Sequence, residues 1–370
     1  MSQKRHPADP RLYPRMLESK GGWRYSQVMP LRNTTKFLVS WVRDVGSSIM
    51  RTQTTLSTSE GEFPCDIYEH KSRRGRAPTV TFIHGMSLEG NQDARQVKVC
   101  EALVMAGFKV YAPHFAEIAD LKIKRATVSR IESVIQAVVH LSQEPTSLFS
   151  VSFSGGLSLM AASKPSLRDK LKAVCVIGTF SDVSTCLNYL IKSPDADEYG
   201  RLIIFRNYLW DFESLYPGLM NLLDAAACDN ARPEHPSKLE PALNAAPKLT
   251  QAYFHDLVND PVTRAKAMTH IYRMHGRELQ EFNVGQLSHQ LNVPITFIHG
   301  ADDNVIPAQQ SKDLFQTLLL QGHDCELVIS PILSHGDRQP LSFLALLELG
   351  KGFDHFMKRA LKPVHQEVAA

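Results

Sequence analysis

The 370-residue sequence lacks the cysteine spacings that are typical of metal sites and disulfide frameworks. Its six cysteines are scattered without a C-x-x-C pair, and several lie within apolar strand or helix patterns. We therefore expect reduced core thiols, no metal ion and no cofactor.

Excess charge and long hydrophobic runs are also absent. A formal net charge of +3 is too small to predict a nucleic-acid surface. No window approaches the ~20 apolar residues that span a bilayer, and the polar N-terminus has no apolar signal core. We expect a cytoplasmic protein with no nucleic-acid partner and no integral membrane segment, and the oligomeric state stays open.

The sequence does contain regular alternation of strand and helix patterns. Strands are predicted at 61–70, 80–83, 109–112, 173–177, 295–299 and 325–330. Helices are predicted at 93–106, 128–141, 157–163, 308–320 and 341–357. Such alternation predicts an α/β fold, with a mostly parallel central sheet that carries helices on both faces.

Residues 1–60 are predicted to form an N-terminal extension. From Asn33 to Ile49, apolar residues recur at helical spacing and predict an amphipathic helix. We expect this helix to dock on the remainder of the chain. Weak peripheral membrane contact through 33–50 is the alternative, and the few cations on the polar face argue against it.

The stretch from Thr146 to Gly156 carries the main chemical prediction. An apolar, β-rich segment ends there in a serine that is flanked by very small residues. This is typical of a nucleophile elbow, a sharp strand-to-helix turn in which residues two positions away on either side must be small. We predict Ser154 as the nucleophile, with Ser152 and Gly156 as its small neighbours. Ser152 is the alternative nucleophile.

Three further motifs accompany this turn in a fixed order. A strand runs into His84-Gly85-Met86, a second strand precedes Gly300-Ala-Asp-Asp303-Asn-Val-Ile-Pro307, and a third precedes Ser334-His335-Gly336. The order serine, aspartate, histidine at strand ends resembles the α/β-hydrolase family over roughly residues 61 to 360. The resemblance implies an α/β-hydrolase core in two parts, 61–180 and 293–370.

The chemistry of acyl transfer assigns a role to each of these residues. A serine hydroxyl is a weak nucleophile and needs a base, which we predict to be His335. Asp303 is predicted to orient that imidazole. Asp302, its neighbour, and Asp182, which follows an earlier strand, are the alternative acids.

The resemblance also implies two oxyanion-hole donors, the backbone N–H groups of Met86 and Gly155. His84 and His299 stand at strand ends before glycines, where the family often has structural histidines. We expect each of them to bond neighbouring loops rather than to catalyse the reaction.

Residues 181–292 contain helical patterns broken by prolines and no convincing strand. The resemblance implies a helical lid inserted here over the active site. We predict that Phe205, Tyr208, Trp210 and Phe212 bind substrate, although the same aromatic side chains would also serve to pack the lid internally.

Together these motifs predict a serine hydrolase that cleaves a small-molecule carboxylic ester or thioester with an apolar part through an acyl-enzyme. Two alternatives stay open. An acyltransferase would use the same triad with a second alcohol or thiol as acceptor. A ligand-binding or scaffold protein would keep the fold without turnover.

Overall fold

The computed structural model describes residues 32–73, 77–333 and 343–362. Its centre is an eight-stranded sheet with the strand order β1-β2-β4-β3-β5-β6-β7-β8. The strands are β1 Ile49–Thr58, β2 Gly61–His70, β3 Thr79–Ile83, β4 Lys109–Pro113, β5 Thr146–Val151, β6 Leu171–Ile177, β7 Ile295–Gly300 and β8 Cys325–Ser330. β1 and β2 pair antiparallel, as do β2 and β4, and all the other pairs are parallel.

Helices cover both faces of this sheet. The helices of the described chain are α1 Arg32–Val42, α2 Ala94–Ala106, α3 Ala116–Ala119, α4 Thr127–Ser142, α5 Phe153–Ala162, α6 Val183–Lys192, α7 Glu198–Tyr208, α8 Leu219–Ala231, α9 Leu239–Ala245, α10 Lys248–Asn259, α11 Pro261–Gln280, α12 Gln309–Leu320 and α13 Phe343–Ala360. Apolar residues of α1, α2 and α13 form one core layer, and those of α4, α5 and α12 contribute to the other. The predicted α/β class is confirmed.

The central strands are buried because helices cover them from both sides. All five residues of β3 and all six of β7 are buried, which fits their continuous apolar sequences. Helix boundaries follow local chemistry. The carboxylate of Asp93 accepts the N–H of Arg95 at the start of α2, and Gly107 ends that helix with φ +117°.

The N-terminal part differs from its prediction. The helix ends at Val42, and residues from Ile49 onwards form β1, which among the described strands pairs with β2 alone. Most of β1 is exposed, so its sequence has no buried face whose periodicity would reveal a strand. The predicted boundary at residue 61 therefore falls at the turn of a hairpin rather than between domains.

Helix α1 docks on the core. The ring of Phe37 is fully buried and lies 4.4 Å from that of Phe353 in α13, measured between centroids. The Thr34 hydroxyl donates to the carboxylate of Asp354 at 3.5 Å. This packing supports the docked interpretation of the amphipathic pattern.

Between β6 and β7 the described chain is helical, running from α6 to α11 with short 3₁₀ turns. We call residues 183–292 the helical insertion. Asp182, just before the insertion, and Asn283, which follows α11, meet in an isolated antiparallel bridge. Across the described residues, no helix combines the length and apolar character needed to cross a membrane.

Candidate active site

Ser152 occupies the sharp turn between β5 and α5. Its backbone has φ +58° and ψ −141°, a combination that residues with a side chain rarely adopt. Its N–H donates to the carbonyl of Ile177 at 2.7 Å, which ties the turn to β6. The side chain is half-buried. These are the features expected of the nucleophile in an elbow.

Ser154 does not lie at the tip of the turn, so that part of the prediction is wrong. It lies in the first turn of α5, is fully buried, and donates its hydroxyl to the carbonyl of His84 at 2.6 Å. A hydroxyl in this position holds two backbone segments together and has no access to a substrate. Ser150 and Ser154, both fully buried, are the small residues two positions from Ser152.

The Gly155-Gly156 pair has a different role from the one predicted. A Cβ atom on Gly155 would lie 2.8 Å from the side chain of Thr179, and one on Gly156 would lie 2.3 Å from the ring of Phe180. Both glycines therefore allow α5 to pack closely against the segment after β6. Both glycines are required for helix packing. The prediction took them as part of the elbow and therefore placed the elbow two residues too far along the chain.

The loop after β3 passes directly beside Ser152. A Cβ atom on Gly85 would lie 3.3 Å from the Cβ of Ser152. The N–H of Gly85 donates to Oε1 of Gln96 at 2.9 Å, which fixes the loop to α2. Met86 follows and is half-buried.

His84 orients the Gly85–Met86 peptide. Its Nε2 accepts the N–H of Phe115 at 2.9 Å, so Nδ1 carries the proton and donates to the carbonyl of Gly85 at 2.9 Å. Burial lowers the pKa of His84 to about 4, which keeps the ring neutral. Because the peptide is planar and trans, the N–H of Met86 points away from that carbonyl. His84 thus bonds neighbouring loops.

The predicted donor Gly155 is wrong, because its N–H donates to the carbonyl of Ser152 at 2.9 Å within the turn. With Ser152 at the elbow, the residue after the nucleophile is Phe153. Among the described residues, neither the N–H of Phe153 nor that of Met86 has a backbone or side-chain acceptor. Both are therefore candidate oxyanion donors, and the role of Met86 stays a prediction.

Asp303 lies just beyond the end of β7 and is 6% exposed. Its Oδ1 accepts the N–H groups of Val305 and Ile306 at 3.0 and 2.9 Å. Its Oδ2 lies 3.4 Å from Nε2 of His299 and 3.4 Å from the position of a Cβ on Gly178. The carboxylate is therefore held in one orientation at the carboxyl edge of the sheet.

The two alternative acids lie elsewhere. Asp302 is exposed. Asp182 begins α6, where its carboxylate accepts the N–H of Ser184 at 2.9 Å. Helix capping accounts for that residue.

His299 is fully buried below the Asp303 loop. Its Nε2 donates to the carbonyl of Ile306 at 2.7 Å, and its Nδ1 lies 2.6 Å from the Ser311 hydroxyl. It bonds neighbouring segments, as expected.

His335, the predicted base, lies outside the described residues. The strand before it is described, and its parallel pairing with β7 brings Ser330 opposite Gly300. The chain thus leaves β8 at the same edge of the sheet as Asp303.

The four predicted substrate-binding residues are distributed over the insertion. Phe205 and Tyr208 are buried on α7, Trp210 is 59% exposed, and the ring of Phe212 stacks on that of Tyr253 at 5.8 Å. Substrate binding by the four stays a prediction.

Tyr199 is the insertion residue that does approach the site, and the sequence analysis does not single it out. Its hydroxyl donates to the carbonyl of Met86 at 3.3 Å. The available sequence pattern was Asp197, a helix-capping residue, followed two positions later by an aromatic residue in the first turn of α7. That pattern marks where a helix begins but does not reveal what the aromatic residue contacts.

Metal-binding groups of three or more histidine, cysteine or acidic residues are absent from the described ranges. All six cysteines are free, and four of them are buried. Burial raises the pKa of the Cys65 thiol to about 12, so this thiol stays protonated.

Comparisons with known proteins concern the fold. No family model matches the chain, and no curated protein matches it. Among solved structures it is similar to the acylaminoacyl peptidase of Pyrococcus horikoshii, with a TM-score of 0.54 and 13% identity, covering 86% of this chain and 43% of that one. It is also similar to a puromycin-hydrolyzing peptidase of Mycobacterium tuberculosis, with a TM-score of 0.52 and 12% identity, covering 86% and 40%. The chain spans less than half the length of these proteins.

Proposed function

The chain has the α/β-hydrolase fold, and from this premise we propose that it is a serine hydrolase whose nucleophile is Ser152. The observation that carries the proposal is the strained backbone of Ser152, at φ +58° and ψ −141°, between β5 and α5. Such a conformation costs about 1–3 kcal/mol and persists where the surrounding structure holds it in place. A function that needs a raised hydroxyl accounts for its presence here.

The proposed reaction proceeds through an acyl-enzyme. The Ser152 hydroxyl gives its proton to His335 while its oxygen attacks the substrate carbonyl carbon. The carbonyl oxygen becomes an oxyanion and accepts the N–H groups of Met86 and Phe153. Collapse of this intermediate breaks the bond to the leaving alkoxide or thiolate, which takes the proton from His335.

Water completes the cycle. His335, now neutral again, removes a proton from a water molecule that attacks the acyl-enzyme, and the proton then passes to the Ser152 oxygen. Asp303 stabilises the imidazolium that forms in each half of the reaction. Its two backbone hydrogen bonds to Oδ1 support this role, since they hold the carboxylate in one orientation.

For the substrate we propose a carboxylic ester or thioester with an apolar part. Apolar side chains next to the turn support this class. Phe153 packs its ring 4.9 Å from that of Phe180, and Met86 and Leu88 in the neighbouring loop are only partly buried against the core. Apolar substrate surface removed from water contributes ~25 cal/mol per Å², so longer acyl chains should bind more tightly.

A fluorophosphonate probe tests the nucleophile. We expect labelling of the purified protein at Ser152, loss of labelling in Ser152→Ala, and labelling that persists in the matched control Ser154→Ala. The same proteins are assayed with p-nitrophenyl esters from acetate to octanoate and with peptide p-nitroanilides, and ester turnover should rise with chain length. Labelling that depends on Ser154 instead of Ser152 would contradict the assignment, and a preference for the anilides would contradict the substrate class.

A further inference from the structure

The first turn of α7 contacts both loops that frame the candidate site. The hydroxyl of Tyr199 donates to the carbonyl of Met86 in the loop after β3. Two residues earlier, the N–H of Asp197 donates to the carbonyl of Asn304 at 2.9 Å, in the loop that carries Asp303. One residue later, a Cβ on Gly200 would lie 3.3 Å from the side chain of Val305. A single helical turn of the insertion therefore joins the oxyanion side to the acid side.

Three hydrogen bonds, here called anchors, hold the backbone on either side of the Met86 N–H, and the insertion supplies one of them. Gln96 accepts the N–H of Gly85, and His84 donates to the carbonyl of the same residue. Both anchors precede the N–H of Met86. Tyr199 holds the carbonyl that follows it, at 3.3 Å. Fixing groups on both sides of Met86 restrains its φ and ψ, and with them the direction of its N–H.

We propose that Tyr199 is a positioning residue that holds the Met86 N–H in place to stabilise the oxyanion. This inference rests on the proposed serine hydrolase function. Displacement of a reacting group by about 1 Å can lower a rate by on the order of 10²-fold. Loss of one anchor out of three should have a smaller effect, and it should act on the transition state rather than on substrate binding.

The surroundings of Tyr199 suit a positioning role. The carboxylate of Asp197 accepts the N–H of Tyr199 at 2.8 Å and caps the helix. The guanidinium of Arg201 donates to the carbonyls of Leu190, Ser193 and Ala196 at 2.7, 2.9 and 2.6 Å, which fixes the α6–α7 connection. Burial raises the pKa of the Tyr199 phenol, so it stays protonated and remains a donor.

The test compares Tyr199→Phe with Tyr272→Phe. Tyr272 is a matched control because its hydroxyl also donates to a backbone carbonyl, that of Ser184 at 2.7 Å, but both groups belong to the insertion. We expect Tyr199→Phe to lower kcat for a p-nitrophenyl ester by on the order of tenfold with KM nearly unchanged, whereas Tyr272→Phe leaves kcat within about twofold.

A second measurement separates positioning from general weakening of the fold. A trifluoromethyl ketone inhibitor forms a tetrahedral adduct whose oxyanion needs the same donors. The affinity of Tyr199→Phe for this inhibitor should fall by the same factor as its kcat/KM. Its melting temperature should equal that of Tyr272→Phe, which excludes general weakening of the fold as the cause.

Three results would overturn the inference: unchanged kcat in Tyr199→Phe, equal losses of kcat in both variants, or unchanged inhibitor affinity. Failure of the proposed function itself is seen separately, as absence of fluorophosphonate labelling at Ser152 in the unmodified protein, and would overturn both proposals.

Discussion

Replacement of Asp303 separates its two roles, because its two carboxylate oxygens have different partners. Oδ1 accepts two backbone N–H groups, from Val305 and Ile306, whereas Oδ2 lies on the side of His299 and Gly178. Asp303→Asn can keep Oδ1 as the acceptor and loses only the negative charge. Asp303→Ala removes both the charge and the acceptor.

The expected magnitudes follow from these contacts. In Asp303→Asn we expect kcat to fall by a factor on the order of 10⁴, the scale found when a triad histidine loses its orienting carboxylate. Its free energy of unfolding should change little. Asp303→Ala should lose as much activity and also about 2–4 kcal/mol of stability, because two buried N–H groups lose their partner.

Ester hydrolysis and urea denaturation measure the two effects. Asp302→Asn is the control, since its exposed side chain should leave stability within about 0.5 kcal/mol and activity nearly unchanged. If Asp303→Asn retained kcat within tenfold of the unmodified protein, Asp303 would not be the triad acid. A crippling effect of Asp182→Asn would transfer that role to the earlier strand.

Two further predictions concern packing and pH. Gly156→Ala should destabilise the protein by about 1–3 kcal/mol, because the added Cβ would lie 2.3 Å from the Phe180 ring. Gly276→Ala, in α11, has open space around the added Cβ and should stabilise the protein by about 0.5–1 kcal/mol. Similar urea midpoints for the two variants would contradict the packing argument. Burial lowers the pKa of His84 to about 4 in the folded protein, against 6.5 for a free histidine, so the unfolded chain binds the proton first as pH falls from 6.5 to 4. The free energy of unfolding should therefore decrease over that window by on the order of 3 kcal/mol. His84→Gln should lack this part of the acid sensitivity, and a stability difference between the two proteins that is equal at pH 7 and pH 4.5 would contradict it.

Most of the sheet could be predicted from the sequence, since its central strands are short segments rich in apolar and β-branched residues between turn residues. The predicted strands 61–70 and 325–330 agree with β2 and β8 at both ends. β1 escaped prediction because an edge strand that is largely exposed needs no apolar periodicity. β1 is a strand because it pairs with β2, and such pairing cannot be recognised from the local sequence.

The location of Asp303 could also be predicted, because it lies three residues beyond the end of a buried strand. Its role as the triad acid stays a prediction. The sequence could not decide which of two serines, two residues apart, lies at the tip of the turn. Both Ser152 and Ser154 have small neighbours, and only the packing of Gly155 and Gly156 against the segment after β6 decides which of them lies at the turn. The contact between Tyr199 and Met86 joins residues 113 positions apart, which no local pattern encodes.

The bridge between Asp182 and Asn283 holds the chain just before α6 next to the chain just after α11. The N–H of Val183 donates to the carbonyl of Phe282 at 3.1 Å, and the N–H of Val284 to that of Ser181 at 2.7 Å. Paired residues of this kind lie only about 5 Å apart between Cα atoms, a gap that a two-residue turn can close. The insertion is therefore an exchangeable module: a shorter or longer excursion between these positions would leave the path of β6 and β7 unchanged. Changes in the helices of the insertion can then proceed without redesign of the strands that lead to Ser152 and Asp303.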